Sequence, residues 1–172
     1  MKNDKKTILK QRADKLSISL EKKVVSGEQI KVLEFLLSTE KYAIDSTYIN
    51  EVISISEITP LPCTPDFIVG IINLRGKIIS VMDIKKFLSI SGADTANIKK
   101  VIIVKHSDIE LGIIADEILG NSIIQLNEIQ TKVTSITDVN KNFITGVTNK
   151  KLIVLDIKEL LLSEKIIINE EI

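Results

Sequence analysis

The stretch Phe67-Ile-Val-Gly-Ile-Ile-Asn-Leu-Arg-Gly-Lys-Ile-Ile-Ser-Val-Met-Asp-Ile-Lys-Lys-Phe-Leu88 decides the reading of the whole chain. It holds two apolar runs rich in Ile and Val, joined at Asn73-Leu-Arg-Gly-Lys77 and followed by a short amphipathic segment. β-Branched content punctuated by glycine marks a strand hairpin that feeds one or two helical turns. Arg75 stands where the chain reverses, beside Gly76, which can take the positive φ of a tight turn. The same cassette recurs near the end of the chain. Phe143-Ile-Thr-Gly-Val-Thr-Asn149 matches Phe67 to Asn73 at Phe, Ile, Gly and Asn. Val154-Leu-Asp-Ile-Lys158 then matches Val81-Met-Asp-Ile-Lys85 at Val, Asp, Ile and Lys, after a connection three residues shorter. The sequence reads as two related halves.

Composition bounds what such halves can be. At 172 residues with 44% hydrophobic content, the chain can bury a sizeable core in one domain or two small packed subdomains. That core must be aliphatic, because aromatics make up 3% and Trp is absent. Lys and Arg balance Asp and Glu at 23 each, which does not fit nucleic-acid binding by cationic surface and stacking. The single cysteine, Cys63, excludes an internal disulfide and fits a reducing compartment. With no secretory pattern at the start and no apolar run near the roughly 18–20 residues that span a bilayer, a soluble cytoplasmic protein is expected.

Residues 1–28 form an arm of different character. Residues 1–23 carry eight Lys or Arg against three Asp or Glu, a net charge of +5. Leu9, Ala13, Leu16 and Leu20 fall on one stripe at helical spacing. Such an arm can dock on a partner or an anionic membrane, pack on its own domain, or fray. After the joint at Ser26-Gly27 the pattern turns to short strands. Residues 31–37 and 41–45 flank a hairpin turn at Ser38-Thr-Glu40, and residues 46–55 suit a strand or a helical turn equally. Pro60, Pro62 and Pro65 mark an extended crossover. Beyond residue 88, the polar loop at residues 89–97 reads as the boundary between the halves. A second hairpin turns at His106-Ser-Asp108, an apolar segment at residues 118–126 is broken by Gly120-Asn121, and residues 129–142 are polar and irregular. The second cassette and a helix over residues 156–163 follow, with a tail at residues 166–172. Many short strands without long intervening helices point to barrels or a sandwich.

Chemistry is sparse. His106 lies in a turn and reads as an exposed loop residue, and Cys63 has no matched histidine in sequence. Zinc-ligand spacing and phosphate-binding glycine loops are absent, so no catalytic, metal or cofactor residues are assigned. Asp116-Glu117 reads as solvated surface, and Asp83 and Asp156 as N-caps or turn formers at equivalent repeat positions. An enzyme is not expected; a barrel-type hydrolase lacks its constellation. What remains is Asn73-Leu-Arg-Gly76, either a plain turn or a loop offering Arg75 as a protein-binding anchor.

Taken together the chain resembles the CheW family of bacterial chemotaxis coupling proteins. The resemblance is carried by Lys41-Tyr-Ala-Ile-Asp45, Asn50-Glu-Val52, the Pro62/Pro65 crossover, Phe67-Ile-Val-Gly70, Ile72-Asn-Leu-Arg-Gly76, Val81-Met-Asp83, Leu111-Gly-Ile-Ile-Ala-Asp116 and the second cassette. It implies a mainly β fold of two packed five-stranded barrel subdomains, interleaved over residues 29–165. It also implies a non-enzymatic adaptor without cofactors, joining the cytoplasmic tip of chemoreceptors to the regulatory domain of a CheA-type histidine kinase. Such an adaptor meets the membrane only indirectly, at the inner face through receptor arrays. A CheW-like scaffold of a non-chemotaxis signalling complex is the alternative, and 172 residues leave no room beside the match for a kinase or receiver module. By motif, Glu51, Val52, Gly70 and Arg75 would line or support the receptor face, and Asn73 and Gly76 would shape the loop presenting Arg75. Two departures stand out: Ser80 where the family often has Pro, and the long basic arm.

Overall fold

The computed structural model describes residues 27–91, 100–131 and 140–167. Among these described residues, eleven strands and two short α-helices follow one another. They are β1 (Gln29–Leu37), β2 (Glu40–Asp45), β3 (Ile49–Ser54), β4 (Ile68–Leu74), β5 (Lys77–Met82), α1 (Ile84–Phe87), β6 (Lys100–His106), β7 (Ile109–Ala115), β8 (Glu117–Gln125), β9 (Ile129–Gln130), β10 (Ile144–Thr148), β11 (Leu152–Leu155) and α2 (Ile157–Leu161). The ambiguous segment after β2 resolves into a one-turn 3-10 helix, Ser46–Tyr48, and then strand β3. Most of the expected arm, residues 1–26, lies outside the described residues, as do residues 168–172 of the tail.

The strands form a six-stranded sheet in the order β8-β1-β2-β11-β10-β9 and a five-stranded sheet in the order β3-β6-β7-β5-β4. Neighbours are antiparallel except β11 with β2 and β5 with β7. The second sheet has the expected five strands. The first has six, because two-residue β9 pairs with β10. The division expected at residues 89–97 is not where the chain changes sheets. The hairpin of β6 and β7 lies beyond that loop yet belongs with β3, β4 and β5. The chain crosses instead at the 3-10 turn after β2 and returns at Asp116, between β7 and β8.

The cassettes detected in sequence occupy equivalent places. In each, the backbone N–H of the helix-starting Asp donates to the carbonyl of the cassette Phe: Asp83 to Phe67 at 2.8 Å and Asp156 to Phe143 at 2.9 Å. Both carboxylates cap their helices, Asp83 accepting from Lys85 N and Asp156 from Glu159 N. Each hairpin carries a register shift before its glycine, between Ile68 and Gly70 and between Ile144 and Gly146. A Cβ on Gly70 would come within 2.2 Å of Thr59 O, and one on Gly146 within 2.6 Å of Gln130 O. Glycine therefore repeats because a neighbouring backbone lies against it in both halves. Phe67 and Phe143 meet across Phe87, with ring centroids 5.1 and 5.0 Å apart in edge-on contacts.

Both faces of the central strands are buried, each in a different core. Ile102 and Val104 of β6 join a cluster with Phe35, Leu37, Ile44, Leu155 and Leu160, which belong to the other sheet and its helix. Val101 and Ile103, one residue out of phase, join Ile72, Ile79, Val81 and Ile114 inside the five-stranded sheet. The six-stranded sheet has its own interior cluster of Val32, Ala43, Ile124, Leu152 and Val154. Val101 to Val104 are consequently all fully buried. At about 1.5–3 kcal/mol for each buried aliphatic side chain, the core shared by the sheets binds them into one body.

Asp116 seals the crossing. Its carboxylate accepts from Ser38 N at 2.6 Å and from Lys85 Nζ at 3.0 and 3.2 Å, and its own N–H donates to Leu36 O at 3.1 Å. It was read from sequence as solvated, and it is partly exposed, but it ties the β1–β2 turn to α1 of the other sheet. The Lys85 side chain is only 7% exposed. Removing one partner of a covered ion pair costs more than replacing the cation by an apolar chain of similar length. Asp116→Ala should therefore lower unfolding free energy in urea by about 3 kcal/mol, and Lys85→Met by less than about 1.5 kcal/mol. Equal losses in the two variants would contradict this account of the seam.

Candidate partner-binding site

The β4–β5 turn is built by its own sequence. Arg75 and Gly76 both have positive φ, 53° and 86°, as the tightest hairpin turns require. Asn73 Oδ1 accepts from Gly76 N at 2.8 Å, locking the reversal from within. Leu74 pairs with Lys77 on either side of the turn, and Ser80 stands in register with Ile71. The base of the turn is charged. Glu110 of β7 accepts from Lys77 Nζ at 2.7 Å, with Lys105 Nζ at 3.5 Å. The hydrogen bond from Lys77 holds the Glu110 carboxyl below the usual carboxylate range.

Arg75 reaches from this turn to β3. Its Nη1 donates to Glu51 Oε1 at 2.6 Å and its Nη2 to Glu51 Oε2 at 3.0 Å, a two-pronged pair. The Glu51 bond raises the already high pKa of the guanidinium. β3 and β4 are the two outer strands of the five-stranded sheet. The pair thus clasps opposite edges of one curled sheet, and Ile53 of β3 and Val69 and Leu74 of β4 pack against the same buried cluster inside it. Glu51 is 24% exposed and Arg75 75% exposed, so the clasp holds the guanidinium in place while most of it faces solvent.

The six sequence-derived residues fall into two groups. Glu51, Arg75, Asn73 and Gly76 come together as pair and turn, and Val52 lies exposed on β3 beside Glu51. Gly70 sits deeper, paired with Val81 and pressed against Thr59. Sequence reading named Glu51 and Arg75 separately and missed their pairing, since 24 residues separate them. It also took His106 for an exposed loop residue. His106 ends β6, half-buried, with its ring 5.7 Å from that of Tyr48. Cys63 is exposed.

Elsewhere a cleft of ≈ 730 Å³ opens beside β2 and β11, lined by Glu40, Lys41, Tyr42, Leu88, Ile144 and Lys151. Burial and the neighbouring Glu40 push the Tyr42 hydroxyl pKa up, so it stays a protonated donor to Glu40 at 3.2 Å. Among the described residues no group of three or more His, Cys, Asp or Glu could hold a metal ion, and no helix is long and apolar enough to cross a membrane.

The fold and this site define a β-rich module of two sheets around a shared core, presenting a clasped arginine on a rigid turn. A family model described as the CheW-like domain matches residues 31–165, and the chain belongs to the CheW family. It is 36% identical over 111 residues to the chemotaxis protein CheW of Thermotoga maritima, covering 64% of this chain and 72% of that protein. Against the CheW of Treponema pallidum it is 30% identical over 149 residues, 83% of this chain and 88% of the relative. Protein FrzA of Myxococcus xanthus is 30% identical over 86 residues, 50% of this chain and 54% of that protein. The scaffolding protein TtCheW from Thermoanaerobacter tengcongensis superposes with a TM-score of 0.66 at 34% identity, covering 74% of this chain and 88% of that one.

Stability and surface roles should separate cleanly. Gly70→Ala forces a Cβ onto Thr59 O and should cost about 1–3 kcal/mol in urea unfolding. Arg75→Ala touches only an exposed pair and should leave the urea midpoint unchanged. A midpoint that falls with Arg75→Ala as far as with Gly70→Ala would make the turn a folding element instead of a presented surface.

Proposed function

We propose that this chain is a non-catalytic coupling adaptor, holding the cytoplasmic tip of transmembrane chemoreceptors and the regulatory domain of a CheA-type histidine kinase in one complex at the inner face of the membrane. The two curled sheets correspond, in this reading, to the paired barrels of the family, with the arm as an addition. The observation that carries the proposal is the Glu51–Arg75 clasp: a guanidinium with 75% of its side chain exposed, fixed by a carboxylate and a closed turn. Arginine offered this way loses little conformational entropy on binding and can meet a partner carboxylate or backbone carbonyl. Val52 supplies apolar contact on the neighbouring strand.

An adaptor of this kind makes and breaks no bonds. It passes a signal only if its contacts differ between the two states of the receptor, so that the bound kinase is biased with them. In a second reading, the same surfaces serve a CheW-like scaffold of a signalling complex outside chemotaxis. The partner face would be shared by both readings, and only the receptor would differ.

Arg75→Glu sets two carboxylates against each other at positions 51 and 75 without touching the core. The variant should keep the circular dichroism spectrum of the parent and lose receptor-tip affinity by at least ~30-fold in titration calorimetry. Unchanged affinity would remove Arg75 from the partner face.

A further inference from the structure

The two hairpin cassettes end in comparable turns, and the adaptor reading uses only the first. There Arg75 holds φ 53° and is clasped by Glu51. At the second turn Lys151 holds φ 59° beside Lys150, and both are exposed. β11 runs parallel to β2, so exposed Lys41 stands in register with Leu152, the residue after the turn. Among the described residues the side chains of Lys41, Lys150 and Lys151 make no ion pair or hydrogen bond. All three line the cleft of ≈ 730 Å³ beside β2 and β11.

The floor of that cleft is apolar. Tyr42 of β2 lies in register with Ile153 of β11, and Ile153 with Val147 of β10. Across from this row stand Leu88 and Ile90, which follow α1, with Asn140 Nδ2 donating to Leu88 O at 2.6 Å. Tyr42 and Leu88 are buried members of the core shared by the sheets, and Ile90, Ile144 and Ile153 pack against it. The cleft is therefore an outlet of the shared core at the junction of the two sheets. Glu40 is the one carboxylate among its lining residues, and it accepts from the Tyr42 hydroxyl at 3.2 Å. Three lysines against one carboxylate make the rim cationic in a chain whose charges balance overall.

We propose that this cleft binds a small anionic amphiphile, an aliphatic chain ending in a carboxylate, as in a medium-chain fatty acid. Its chain would lie on Tyr42, Val147 and Ile153 against Leu88 and Ile90, and its head would meet the lysines of the rim. The volume is in the ≈ 300–1,000 Å³ range of ligand sites, which favour such junctions and pair an apolar lining with a few polar groups. The chain supplies the affinity, since burying a methylene is favourable whereas an exposed ion pair contributes little. The lysines set the sign of the head and the orientation. No residue of the Arg75 turn takes part, so this site stands or falls separately from the adaptor reading.

The test is methyl NMR on the full chain, titrated with octanoate, decanoate and decylammonium below their micelle thresholds. Decanoate should give saturable shifts at Leu88, Ile90, Ile144, Val147 and Ile153, while Ile78 and Leu162, exposed apolar residues elsewhere, stay in place. Each methylene added from octanoate to decanoate should tighten binding about 3- to 4-fold. Decylammonium should bind at least about 5-fold more weakly than decanoate, and Lys150→Glu with Lys151→Glu should weaken decanoate by a similar factor. Arg75→Glu should leave decanoate affinity unchanged. Equal binding of octanoate and decanoate, or of decanoate and decylammonium, would overturn the proposal. So would shifts as large at Ile78 and Leu162, an unaltered affinity in the double variant, or binding seen only with phosphatidylglycerol vesicles. Cleft methyls that move on diluting the ligand-free chain would assign the cleft to a second copy and overturn it equally.

Discussion

The contact on which everything else rests is the core shared by the two sheets. Phe35, Leu37 and Ile44 from one sheet, with Leu155 of β11 and Leu160 of α2, form one buried cluster with Met82, Ile102, Val104 and Ile113 from the other. Neither sheet can present that face to water, so neither is a free-standing half. The crossing at Asp116 is the polar seal on this arrangement. Its acceptors meet Ser38 N–H and the buried Lys85 ammonium just where the chain passes from one sheet to the other.

This explains which parts of the fold could be read from sequence. The hairpins were legible because each is local: an apolar run, a turn residue that tolerates positive φ, a second run. The repeat was legible because Gly70 and Gly146 answer the same steric demand in both halves, a backbone pressed against the hairpin. Sheet membership was not legible. Val101 to Val104 feed two cores from alternate faces, so the strand shows no period of two that would mark an inside and an outside. The polar loop at residues 89–97 therefore looked like a boundary, while the chain changes sheets at the 3-10 turn after β2 and again at Asp116. Lys85 and Lys158 hold equivalent repeat positions, yet Lys85 is buried against Asp116 and Lys158 is exposed. Only the path of the chain distinguishes them.

The site shows the same division. Asn73, Arg75 and Gly76 lie in one turn, and their joint purpose is visible in four consecutive residues. Their partner Glu51 lies on the opposite edge of the sheet, brought there by curling, and nothing local announces the pair. The clasp has a consequence for the adaptor reading. An arginine on a flexible loop would lose its freedom on binding, whereas one already held by Glu51 and by a turn closed through Asn73 is ordered beforehand. The rigidity of that turn in turn depends on β4 and β5 being held between β7 and the Thr59 bridge. Surface and core are thus linked through the same few strands.

The central claim is that both sheets rise and fall as one body around their common core. Native-state hydrogen exchange along a shallow denaturant series tests it most directly. The slowest amides of the β1–β2 hairpin and of the β6–β7 hairpin should exchange with one opening free energy and one denaturant dependence. Two separate opening energies, with one sheet exchanging while the other stays protected, would contradict it.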